Sequence, residues 1–148
     1  SLVDAAAQEA AAVSAELDGP EREALAVALG QGTTWARGLS ASSQAALAEL
    51  DRQQRRRATR AKRDALDRAL VDLASFYRDV LVVQLGARVP VTNTDVTPAV
   101  DQMAARETPE ATLRRLEAVL AARTALESNV SPQLALEAMA VRLRVPAA

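Results

Sequence analysis

The sequence has no histidine and no cysteine, and one residue each of Trp, Tyr and Phe. Without His or Cys there is no zinc site of the usual nitrogen and sulfur kind. There is also no Cys or His nucleophile and no Ser-His-Asp triad. Disulfides are excluded, which suits a reducing, cytoplasmic setting. Lysine is nearly absent: of 18 basic residues, only Lys62 is not arginine. The uncharged run at 80–85 is far short of a membrane span, so no membrane partner is expected. No signal-peptide pattern is present, and a chain opening on Ser1 without Met reads as an excised fragment.

Alanine is what the chain has in quantity, at 34 of 148 positions. It is the strongest helix former, so the composition points to an all-α protein. The length suits one domain burying roughly 70% of its unfolded surface. With so few aromatics, that core must be built from Leu, Val and Ala. The bias to alanine and arginine also has the look of a GC-rich genome.

Net charge is −1 but unevenly spread. Residues 1–50 hold two arginines against seven acids, a net of −5. Residues 51–63 hold seven bases against Asp51, a net of +6. This is a local dipole and not a generally basic protein.

Helix punctuation divides the chain. A first helix is expected over 2–17, ended by Asp18-Gly19-Pro20, with Pro20 opening a second that stops near Gly30. Residues 31–40 read as a loop around Trp35. Ser42 or Ser43 can cap the next helix, and no Pro or Gly interrupts 43–85. One rod of that length is unusual in a compact domain, so a bend or break is expected near Ala58-Thr59. Leu66, Leu70, Leu73, Tyr77 and Val80 form an apolar stripe widened by Ala69, Phe76 and Val83, and Gly86 ends it. Residues 87–96 form the only extended stretch, too short to imply a sheet. Thr97-Pro98, Thr108-Pro109 and Ser131-Pro132 each read as an N-cap followed by Pro, predicting helices over 98–106, 109–127 and 132–144. Leu113, Leu116 and Leu120 give the middle one an apolar face, and Pro146 marks the end. The expected fold is an all-α bundle of about six to seven helices.

Chemistry is scarce. The GQGTT stretch at 30–34 lacks the lysine and spacing of a phosphate-binding loop. The acid pairs Asp64/Asp67 and Asp72/Asp79 have Arg neighbours, which favours solvated ion pairs over a metal site. Asn93-Thr94-Asp95 reads as a turn or Asx cap. No catalytic residue, cofactor, metal or small-molecule substrate is expected. One charged feature can bind a partner: as a helix, 52–63 places Arg52, Arg56, Arg60 and Arg63 on one face, a stripe able to neutralise phosphates. Against DNA contact stand the lack of interleaved aromatics and the negative net charge. The alternative is a solvated face, or an intrachain partner for the acidic first fifty residues.

The last helix offers a second surface. Leu134, Leu136, Met139, Val141 and Leu143 surround it, and they cannot all face one core. They are candidates for a subunit interface, where such surface usually goes. The alternative is a helix central to its own bundle.

Three segments carry a family resemblance. Residues 57–86, RATRAKRDALDRALVDLASFYRDVLVVQLG, resemble the delta-prime subunit of the bacterial DNA polymerase III clamp loader, in its GC-rich bacterial form. The Val-Thr-Asn-Thr-Asp stretch at 91–95 follows as it does in that family. SNVSPQLALEAMAVRL at 128–143 is similar to the closing helix shared by delta-prime and the motor subunits. The resemblance covers about 45–148. It implies a C-terminal collar domain, a helical ring segment that holds the pentameric loader together. The implied partners are the C-terminal domains of the motor subunits and delta. The family's arginine-finger motif and cysteine zinc module belong to its N-terminal region, so a non-catalytic assembly role is implied. Residues 1–44 match less distinctly and would be a lid-to-collar junction or a lineage-specific addition.

Overall fold

A computed structural model describes residues 2–29, 41–128 and 130–144. It contains α1 (Leu2–Ala28), α2 (Ala41–Gln84), a 3₁₀ turn (Thr94–Val96), α3 (Thr97–Arg106), α4 (Pro109–Glu127) and α5 (Pro132–Arg144). No strand occurs among the described residues, and the fold class is all-α. No helix there is long and apolar enough to cross a membrane. The expected Gly30 cap, the loop around Trp35 and the stop at Pro146 lie outside the described residues.

Among the described residues five helices form where six to seven were expected, because two expected interruptions are absent. The first is at Pro20, which lies inside α1. Proline has no N–H for the Glu16 carbonyl, and an interior proline costs about 3 kcal/mol or more. Contacts from α2 support the helix on both sides of it. Gln54 Nε2 donates to the Asp18 carbonyl at 3.2 Å, and Arg57 binds the carboxylates of Asp18 and Glu21. The second is at Ala58-Thr59, where α2 continues as one 44-residue helix. Thr59 turns its hydroxyl onto the Arg55 carbonyl at 2.9 Å, a bond made within the helix. Intrahelical pairs such as Glu49–Arg52 add support to the same polar stretch.

Other ends follow local rules. Gly86 has φ +59°, and Ala87 N–H reaches the Val82 carbonyl while Gly86 N–H reaches Val83. That is a Schellman close, in which glycine takes the left-handed position without a Cβ penalty. Thr108 caps α4, its hydroxyl accepting from Ala111 N–H at 3.3 Å. Ser131 offers its carbonyl to Ala135 N–H at the start of α5. Thr97 departs from its expected role. It is the first residue of α3 rather than its cap, and its hydroxyl donates back to the Thr94 carbonyl of the 3₁₀ turn.

The chain divides into two compact units, Ser1–Ala65 and Leu66–Ala148. In the first, the buried side chains among the described residues are Ala10, Ser14, Gln54 and Ala65, small or polar throughout. In the second, Leu66, Leu70, Val80 and Val119 are fully enclosed, with Tyr77, Val100, Leu126 and Met139 nearly so. The expected stripe is therefore the core face of α2, except Val83, which is 40% exposed. At 100° per residue it points well away from Leu66, Leu70 and Tyr77. α5 packs on α4.

Candidate functional site

The basic run lies on two faces of α2. Gln54 and Arg57 turn toward α1 and build a polar network there. Arg57 holds Asp18 at 2.7 Å and Glu21 at 2.9 Å, and Arg22 Nε donates to Gln54 Oε1 at 2.9 Å. Arg22 also meets Asp51. The Arg57 guanidinium, hydrogen-bonded to Glu21, holds the Glu21 carboxyl below its ordinary range, and Glu21 and Asp18 raise Arg57 in return. Of the four expected stripe residues, Arg52 and Arg56 lie apart from this network and share Glu49, at 2.7 and 3.3 Å. Arg60 is exposed, and Arg63 is half-buried with a polar partner of its own. The missed residue is Arg57. Its signal was present in the sequence: it sits off the arginine stripe, three residues after Gln54.

A buried carboxylate anchors the second unit. Asp79 was expected on a solvated face, yet it has no exposure. Its Oδ2 accepts from Thr92 N–H at 2.8 Å and from the backbone and side-chain amides of Asn93, both at 2.7 Å. Arg78 Nη1 meets Oδ1 at 2.6 Å and also donates to the Pro90 carbonyl at 2.9 Å. Burial disfavours the charged form, but the donors of Asn93, Arg78 and Thr92 outweigh it and hold the pKa at about 2. The 91–95 stretch is thereby tied to α2, which fixes where α3 begins. Both carboxylate oxygens are engaged by the protein's own donors, so the group is structural. Asp67, another of the four acids read as solvated, pairs with Arg123 of α4 at 2.6 Å. Among the described residues no group of three or more His, Cys, Asp or Glu is placed to hold a metal.

α5 sorts its apolar residues by face. Leu136 and Met139 are buried at 6% and 8% exposure, whereas Leu134 and Val141 are 61% and 63% exposed. Leu143 is half-buried. Leu134, Ala138 and Val141 follow +4 and +3 spacing, so they form one outward row. Beside that row runs a groove of about 240 Å³ between α4 and α5. Its α4 wall is Ala118, Ala121, Ala122 and Ala125, and Leu134, Ala138 and Arg142 line the other side. Small side chains on that wall leave room for a further helix to approach closely.

The chain is thus of the class of all-α domains that offer apolar helical surface and, among the described residues, no assembled catalytic group. A family model described as DNA polymerase III, delta subunit, C terminal, matches residues 57–144, and the chain belongs to that family. It is the C-terminal domain of a DNA polymerase III clamp-loader component. No curated protein and no solved structure matches the chain.

Proposed function

We propose that this domain is a collar module of the delta-prime kind, which binds the C-terminal domains of the motor subunits and delta and helps hold the pentameric clamp loader together. The reading rests on family membership over 57–144. The order of the three resembling segments favours delta-prime within it. The observation that carries the assembly role is the outward row Leu134, Ala138 and Val141 beside an alanine-walled groove, apolar surface of the kind that subunit interfaces bury. Leu136 and Met139, with Leu143 on their side of α5, support that surface from beneath. The domain works without a cofactor, as a non-catalytic part of a cytoplasmic replication complex. Residues 1–44 are an addition to the collar domain at 45–148, or its junction to a lid.

The test is association with purified C-terminal domains of the other clamp-loader subunits. Val141→Asp and Leu134→Asp place a charge on exposed positions and leave the core intact. Each should weaken association by about tenfold or more, while circular dichroism stays unchanged. Leu136→Asp serves as the control that unfolds. Well-folded protein that associates with none of the partners overturns the assembly role.

DNA contact through Arg52, Arg56, Arg60 and Arg63 is the second reading, favoured by the exposed Arg60. It requires affinity for primed DNA that falls steeply with salt and disappears in Arg52/Arg56/Arg60→Ala. Flat anisotropy at low salt eliminates it.

A further inference from the structure

α1 carries an apolar row that its own unit leaves uncovered. Val13, Leu17, Pro20, Ala24 and Val27 follow each other at +4, +3, +4 and +3, the 3.5-residue period of a helix-pairing seam. All five are exposed, Val13 at 54%, Leu17 at 50% and Val27 at 70%. The row extends about 21 Å along the helix. In heptad terms Leu17 and Ala24 take a, and Val13, Pro20 and Val27 take d. Glu16 and Glu23 then fall at successive g positions, beside the seam. Both are exposed, and neither has an ion pair among the described residues.

We propose that this face of α1 docks an amphipathic helix of another protein whose apolar seam is flanked by Arg or Lys. Charge decides the occupant. Of the arginines on α2, Arg57 is paired with Asp18 and Glu21, and Arg52 and Arg56 with Glu49. A second copy docking through α1 in antiparallel fashion brings Glu16 and Glu23 against each other, and like charges at such positions repel. A basic-flanked helix satisfies both glutamates and covers the valines and leucine at once. The row lies outside 57–144, so this inference is independent of the assembly reading.

The probe is a labelled helical peptide with leucine at a and d and lysine at e and g, titrated with the full chain by anisotropy. Its twin carries glutamate at e and g. The lysine peptide should bind, losing about tenfold or more at high salt, and the glutamate twin should not. Leu17→Ser should weaken binding by about tenfold. Glu16→Lys/Glu23→Lys should reverse the preference between the twins, which no binding site elsewhere on the chain would do. All substituted positions are exposed, and circular dichroism checks that the helices persist. Equal binding of the twins, no binding of the lysine peptide, or unchanged affinity in Leu17→Ser overturns the proposal.

Discussion

Leu66–Ala148 encloses Leu66, Leu70, Val80 and Val119 completely and wraps a single carboxylate, Asp79, in a closed set of donors. Ser1–Ala65 encloses no large apolar side chain among its described residues and joins α1 to α2 through Arg57, Gln54, Arg22 and their acids. Burial of apolar area is a large stabiliser, at about 25 cal/mol per Å², and charge screening does not weaken it. Partly exposed ion pairs contribute little each and weaken with salt. The same alanine-rich helix therefore serves a firm core at one end of the sequence and a polar latch at the other.

The strongest way to break the contrast is Asp79→Ala. It leaves the backbone amides of Thr92 and Asn93 and the Asn93 side-chain amide without that acceptor, while Arg78 keeps the Pro90 carbonyl, and each buried donor left unsatisfied costs about 1–3 kcal/mol. Urea unfolding measures it, and a loss below about 1 kcal/mol would mean the 91–95 turn is not anchored there. Leu70→Ala comes next, at about 2–5 kcal/mol, read from the same transition.

Acidification tests Asp79 without mutation. Its folded pKa of about 2 lies below the ordinary 3.8. The stability it contributes is thus fully present above about pH 4 and is lost as pH falls toward 2. Asp79→Asn should flatten that acid limb of a stability–pH profile.

Gln54→Ala sharpens the other side. It removes a buried amide bonded to the Asp18 carbonyl and to Arg22, at a cost of about 1–2 kcal/mol. Hydrogen exchange should show faster opening of α1 with the amides of Leu66–Ala148 unchanged. The smallest effect is that of salt: near 1 M, with a screening length of about 3 Å, α1 protection should fall and that of the second unit should hold. Equal responses in both units would erase the distinction.

Much of this architecture was legible in the sequence. Thr108-Pro109, Ser131-Pro132 and Gly86 mark helix ends through rules that operate within one turn. The Leu66, Leu70, Tyr77, Val80 spacing identified a core face because burial follows the helical period. Pro20 misled for a physical reason. The rule that proline ends a helix assumes that no other support is present, and here Gln54 and Arg57 come from more than thirty residues away. Asp79 misled likewise, since an acid beside an arginine looks solvated until Asn93 and Thr92 fold over it. The candidate surfaces were legible as composition and not as geometry. Five apolar residues on α5 were visible, but the division into buried Leu136 and Met139 and exposed Leu134 and Val141 was not.

What the sequence determined alone is the class: helices, several of their ends, and a chain without the imidazole or thiol that many catalysts require. Those properties depend on each residue's own chemistry and its neighbours within one turn. Tertiary structure decided which charges pair, which acid is buried and which apolar row stays open. Each of those depends on what a distant helix places opposite, and hydrophobic period and charge count do not encode that partner.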